Sequence, residues 1–274
     1  MKSICIYGKG GIGKSTVSAN VACALASMGR RVLLVGCDPK ADSTRTVCGH
    51  KIPTVLDVVL NNPRAKIENY IVRGFQGVDC VETGGPKPGD GCAGRGVVTA
   101  LRALREQEVL SPSRYDVVIF DILGDVVCGG FSLPLKDGFA DTVLIVTTCD
   151  FMAMYAANNI CVCIEKFATR NNVKLGGFIY NERSVVQNST IPRAFAEKLN
   201  SEIIGTIPAN SLIMEAEMNA MTVLQYAPES LPSKCFHEMA SHIDKGYVGS
   251  VPAPMDEDAL ESFFASFRET MTKI

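Results

Sequence analysis

A nine-residue stretch near the start, Gly8-Lys9-Gly10-Gly11-Ile12-Gly13-Lys14-Ser15-Thr16, constrains this chain more than any other feature. It satisfies G-x-x-x-x-G-K-[ST] at the point where an apolar run, SICIYG at 3–8, gives way to residues at helical spacing. Glycines there let backbone N–H groups converge on phosphate oxygens, and the helix start adds its positive end. Lys14 reaches the outer phosphates, and Ser15 can place its hydroxyl on Mg²⁺. Gly10, Gly11, Ile12, Gly13, Lys14, Ser15 and Thr16 are therefore the candidate nucleotide-binding residues. A glycine-rich turn without ligand is the alternative, and the flanking strand and helix disfavour it.

Six further apolar runs bounded by glycine and charge follow, at 31–38, 77–81, 115–123, 142–148, 174–180 and 202–208. They read as strands buried on both faces. Helical spacing marks 14–28, 94–108, 151–170 and 190–200. The alternation predicts an α/β P-loop NTPase fold, a predominantly parallel, doubly wound sheet with helices on both faces. Its ligands belong at the carboxyl ends of the strands. Residues 1–250 form the expected main domain. Beyond SVPAPMD at 250–256, a tail over 251–274 carries Leu260, Phe263, Phe264, Phe267 and Met271 as one helical stripe, expected to pack on its own or a partner subunit.

Charge excludes some partners. With 27 basic and 29 acidic residues there is no surplus for nucleic-acid backbones, and the acidic flanks of the tail stripe suit no membrane surface. Without a membrane-length apolar run or a signal-peptide pattern, the expected location is cytoplasmic.

Acidic residues cluster after two strands. Asp38, Lys40 and Asp42 follow the second, and Asp121 and Asp125 follow the fourth, so both segments should reach the nucleotide edge. Asp121 is the candidate Mg²⁺ ligand with Ser15; Asp38 and Asp125 are candidates for orienting the attacking water or sensing the γ-phosphate. Solvated strand caps are the alternative for any one of them.

Eleven cysteines are many for a cytoplasmic chain, yet zinc spacing is absent. Cys5, Cys37 and Cys80 lie on buried-looking strands; Cys161 and Cys163 point apart on a helix; Cys23, Cys48, Cys149 and Cys235 have no evident partner. Cys92 and Cys128 differ, each standing in a glycine-rich loop that admits a bulky inorganic group. A [4Fe-4S] cluster needs four thiolates, which a two-fold dimer would supply; from spacing alone, two unliganded loop cysteines are equally consistent.

Lys9 resembles the signature lysine of the deviant Walker A ATPases, a branch containing the nitrogenase iron protein family, the arsenite pump ATPase and the Min and Par proteins. That likeness implies nucleotide-dependent dimerisation, with Lys9 reaching the partner's nucleotide. GKGGIGKST at 8–16, GCDPKADSTR at 36–45, CVETGGPKPGDGCAGRG at 80–96, FDILGDVVCGGF at 120–131 and MAMYAANNI at 152–160 together resemble the nitrogenase iron protein family, from residue 2 to about 226.

The resemblance implies a homodimer with one [4Fe-4S] cluster held by Cys92 and Cys128 of both subunits and one MgATP per subunit. It implies ATP-gated electrons passing from a ferredoxin or flavodoxin donor to a nitrogenase or nitrogenase-like catalytic component. It also puts Lys40 and Asp42 at the nucleotide, Asn181 and Pro208 at the adenine, and Arg95 at the docking surface, where some members are ADP-ribosylated. GCAGRG at 91–96 departs from the protochlorophyllide reductase branch. A short stretch from Gly49 to Gly77, Cys149-Asp150-Phe151, and Ala209-Asn210 after Pro208 depart from nitrogenase proper. The expected acceptor is therefore a nickel-tetrapyrrole cyclase or a carbon–sulfur bond reductase. The competing functions are a non-redox Min/Par-type positioning ATPase and an iron–sulfur cluster carrier.

Overall fold

The computed structural model describes residues 1–86, 93–124, 132–183, 190–246 and 249–267. Eight strands occur among them: β1 (Lys2–Tyr7), β2 (Val32–Cys37), β3 (Val72–Arg73), β4 (Asp79–Glu82), β5 (Val117–Ile122), β6 (Thr142–Thr147), β7 (Lys174–Asn181) and β8 (Ile203–Ile207). They form one sheet in the order β3-β4-β2-β5-β1-β6-β7-β8. Every pairing is parallel except β3 with β4. The two-residue β3 breaks the expected strict alternation at one edge.

The first six helices are α1 (Lys14–Ser27), α2 (Arg45–Cys48), α3 (Val55–Asn61), α4 (Ala93–Glu106), α5 (Leu133–Lys136) and α6 (Phe151–Asn171). The rest are α7 (Thr190–Lys198), α8 (Ser211–Met218), α9 (Val223–Tyr226), α10 (Leu231–Lys245) and α11 (Glu257–Ser266).

Period-two alternation divides the central strands between two cores. Cys5, Tyr7, Leu33, Val35, Val118 and Phe120 face α4, α6 and α7. Ile4, Ile6, Val32, Leu34, Val117 and Ile119 face α1 and α10. Strands apolar on both faces can only lie between helices, which is why this sheet is parallel and covered on each side.

Local signals set the helix ends nearest the site. α1 starts at Gly13 in the left-handed region (φ 103) and stops before Gly29 (φ 86). Its Ala-rich middle is buried on nearly every side, so it lies in the layer rather than on it. α6 begins under an Asp150 side-chain cap to the Ala153 amide and ends at left-handed Asn172.

The tail helix α11 packs on its own chain. Asp256 caps it, Leu260 is 2 % exposed, and Phe263 meets Phe195 at 5.8 Å between ring centroids while Phe264 meets Phe151 at 4.6 Å. Met271 lies outside the described residues. No helix among those described is long and apolar enough to cross a membrane.

Candidate functional site

Strands β4, β2, β5 and β1 stand side by side, so the segments leaving their carboxyl ends meet along one edge. The loop after β1 has the backbone that only its glycines allow. Gly11 and Gly13 have φ of 70° and 103°, and a Cβ on Gly13 would come within 2.7 Å of the Asn181 Nδ2. Lys14 is buried and folds back to donate from Nζ to the Lys9 carbonyl at 2.9 Å. Across the loop sits Gly124, where a Cβ would fall 1.6 Å from the Gly8 carbonyl oxygen and 2.9 Å from Lys14 Nζ. The chain leaving β5 thus lies directly on the phosphate loop.

One cavity of about 280 Å³ gathers the loop residues with the acidic segments. Gly10, Gly11, Gly13, Lys14, Ser15 and Thr16 line it together with Asp38, Lys40, Asp42 and Asp121. A second, of about 400 Å³, shares Gly13, Thr16, Arg183 and Glu217 with the first. Asn181 and Pro208 line this second chamber, with Ile213 and Met214 as apolar wall. Ile12 contributes backbone alone: its side chain is buried in the core, and its carbonyl accepts from Asn181 Nδ2 at 2.8 Å.

Asp121 is 2 % exposed, and burial raises its carboxyl pKa. The hydroxyls of Ser15, Ser43 and Ser18 and the Lys14 ammonium act in the opposite sense, with Ser18 Oγ donating at 3.1 Å. A buried carboxylate among hydroxyls is an all-oxygen donor set, which fits a hard divalent cation such as Mg²⁺. Positive-φ glycines with a lysine at a helix start fit a polyphosphate. The residues present thus suit both groups in their chemistry.

Lys9 stands apart, with Nζ 3.8 Å from Asp150 Oδ1 and both side chains substantially exposed. Such a pair holds by less than about 1 kcal/mol, so Lys9 is readily released. Arg95 is exposed in the first turn of α4. Asp125, Cys92 and Cys128 lie outside the described residues.

Glu217, Asn20 and Glu82 carry no motif signal, yet each orders this edge. Thr16 Oγ1 donates to Glu217 Oε1, tying the loop to α8. Asn20 joins α1 to α9 by accepting from the Val223 amide at 2.9 Å. Asn210 caps α8 through the Leu212 amide and so orders the helix bearing Ile213 and Met214. Glu82, wholly buried at the end of β4, holds Thr44. Its only sequence signal is a charge closing an apolar strand.

The remaining cysteines behave largely as small apolar groups. Cys5, Cys23, Cys37, Cys80 and Cys161 are buried and free, and burial pushes the Cys23 thiol up to about 12. Not all of them are isolated: Cys23 Sγ lies 4.0 Å from the Phe75 carbonyl oxygen, Cys48 neighbours Cys80, and Cys149 neighbours Tyr180. α2 folds back against β4, and β6 and β7 are neighbours, contacts that spacing along the chain cannot reveal.

Comparison with known proteins agrees with this architecture. Two solved structures of the cell-division ATPase MinD, from Pyrococcus furiosus and Pyrococcus horikoshii, align with TM-scores of 0.71 and 0.72 at 25 % and 24 % identity, each over 89 % of this chain and 98 % and 96 % of theirs. The "Nitrogenase iron protein" of Methanococcus voltae is 50 % identical over 100 % of this chain and 99 % of its own. "Nitrogenase iron protein 2" of Methanothermobacter thermautotrophicus is 48 % identical over 98 % and 99 %. Residues 2–270 match the family model described as "4Fe-4S iron sulfur cluster binding proteins, NifH/frxC family". The chain therefore belongs to the NifH/frxC family of iron proteins, built on an α/β P-loop fold.

Proposed function

We propose that this chain is the ATP-driven reductase component of a nitrogenase or nitrogenase-like system and works as a homodimer. Each chain binds one MgATP, and Cys92 and Cys128 of two chains hold one [4Fe-4S] cluster between them. When bound, the cluster supplies one-electron transfer at low potential. A ferredoxin or flavodoxin is the donor, and a separate cofactor-bearing component is the acceptor. The departures at Cys149-Asp150-Phe151 and Ala209-Asn210 favour a nitrogenase-like acceptor, a nickel-tetrapyrrole cyclase or a carbon–sulfur bond reductase.

The observation that carries this reading is the seat of Gly124 on Gly8 and Lys14. The segment that presses on the phosphate loop reaches Cys128 within a few residues of sequence, so a change at the nucleotide is a change at the root of a cluster ligand. Loop amides and Lys14 hold the phosphates, and Ser15 and Asp121 take the Mg²⁺. Asp38 and Asp125 orient the attacking water, with Lys40 and Asp42 beside the terminal phosphate. Asn181 and Pro208 border the adenine. Lys9 leaves Asp150 for the partner's nucleotide, and Arg95 lies on the docking surface.

Protein purified without oxygen should carry about four irons per two chains, and Cys92→Ala or Cys128→Ala should abolish them. An iron-free dimer that still binds MgATP would reject the reading. Stimulation of hydrolysis by liposomes or DNA would point instead to a positioning ATPase, and release of the cluster to apo-proteins to a carrier.

A further inference from the structure

Glu82 is a carboxyl in a place that ordinarily takes an apolar side chain. It closes β4 and is 0 % exposed. Oε1 accepts two hydrogen bonds from one residue, the Thr44 amide at 2.7 Å and the Thr44 hydroxyl at 2.8 Å. Oε2 is buried and has no hydrogen-bond partner among the described residues.

Strand register explains the position. Gly36 of β2 pairs with Glu82 on one side and with Asp121 on the other, so the three form a row across β4, β2 and β5. A Cβ on Gly36 would lie 1.9 Å from Glu82 Oε2. The carboxyl therefore occupies the space of a missing side chain, on the side of the strand that leads to the Mg²⁺ aspartate. Thr44 ends the segment that carries Asp38, Lys40 and Asp42 and is itself 1 % exposed.

Other anchors of that segment are weaker. Among the described residues they are mostly turns internal to it, such as the Lys40 amide to Asp38 Oδ1 at 2.9 Å and the Arg45 amide to Asp42 O at 3.2 Å. Exposed Lys51 also donates from Nζ to the Lys40 carbonyl at 3.2 Å, and the Thr44 carbonyl accepts from the Cys48 amide at 2.9 Å as α2 begins.

We propose that Glu82 is a positioning residue for recognition of the terminal phosphate: by gripping Thr44 it fixes Asp38, Lys40 and Asp42 against the phosphate cavity. The inference rests on the reading of that cavity as the MgATP site. It makes a division that the cavity alone does not. The glycine loop holds the inner phosphates and Lys14 reaches the outer ones whatever Glu82 does, and on this proposal the 38–44 segment adds contacts to the third phosphate. Loosening the segment should therefore erase preference for triphosphate over diphosphate while leaving diphosphate affinity intact.

The test is equilibrium binding of MgADP and of the magnesium complex of a non-hydrolysable β,γ-imido ATP to the full chain and its variants. Glu82→Ala should bind MgADP within about threefold of wild type and the triphosphate about tenfold more weakly, the equivalent of one or two lost buried hydrogen bonds. Amide exchange across residues 40–48 should accelerate in the same variant. Glu82→Gln, whose amide oxygen can accept both Thr44 bonds, should restore selectivity and protection.

Equal affinities for wild type and Glu82→Ala, equal loss of both nucleotides, or failure of Glu82→Gln to rescue would each overturn the proposal. Should Glu82→Ala not fold, Thr44→Val removes one bond and keeps the amide. It should weaken the triphosphate alone, and unchanged selectivity would be the contrary result. A wild-type chain that binds neither nucleotide refutes the MgATP reading itself, whereas selective wild-type binding with an indifferent Glu82→Ala refutes only the role of Glu82.

Discussion

Replacing Gly124 by alanine adds one methyl group at the contact between the β5 exit and the phosphate loop. That methyl would stand 1.6 Å from the Gly8 carbonyl oxygen and 2.7 Å from its carbon, where real contacts stay beyond 3.0 Å. More than an ångström must open, and Gly8 cannot yield freely because its own Cβ position is already 2.3 Å from the Val146 carbonyl oxygen. The strain falls on the loop and on Lys14 Nζ, 2.9 Å from the same point. Displacing one charge-assisted phosphate contact costs about 1.5–3 kcal/mol, which is about 10- to 150-fold in affinity. Calorimetric titration of Gly124→Ala with MgADP and MgATP should show both weakened by at least the lower figure. Because the clash is local, unfolding in urea should still be cooperative, with a penalty of about 1–3 kcal/mol. Wild-type affinity for both nucleotides would show that the β5 exit does not bear on the loop.

Three further outcomes follow from the geometry. Asp121→Asn should remove the Mg²⁺ dependence of ATP binding yet raise the urea midpoint of the ligand-free protein, since a buried carboxylate with a raised pKa opposes folding; a lower midpoint would contradict its burial. Glu82 has its pKa pushed up to about 8 by burial, so the folded state holds a proton that the unfolded state releases near 4.5. Between those values wild-type stability should fall as pH rises, by at most about 1.4 kcal/mol per pH unit, and Glu82→Gln should flatten this part of the profile measured by urea unfolding. Leu260→Ala should cost about 2–5 kcal/mol independent of protein concentration, because α11 packs on its own chain; a concentration-dependent loss would place that stripe at a subunit contact.

The central strands and the phosphate loop are legible because their signals are local. An apolar run such as RVLLVGC can only be a covered strand, and a loop of four glycines before Lys14 has one use at a strand–helix junction. The edge strand β3 is invisible, since two residues carry no period. Helices α8, α9 and α10 escaped the pattern reading, and with them half of the second chamber: Ile213 and Met214 look like core residues until the fold turns them toward Asn181. Glu82 acquires meaning only through Gly36, a register partner some forty-six positions earlier in sequence that no spacing rule connects to it. Cys92 and Cys128, in contrast, stand out in the sequence by their glycine-rich neighbours alone.

Communication between the nucleotide cavity and the segments bearing Cys92 and Cys128 is what makes the proposed reductase ATP-driven. Electron paramagnetic resonance of the dithionite-reduced protein, recorded without nucleotide and then with saturating MgATP, examines it directly. The cluster signal should change line shape with MgATP in the wild type and stay fixed in Asp121→Asn. A signal of full intensity that ignores MgATP, in protein shown by titration to be fully bound, would contradict it.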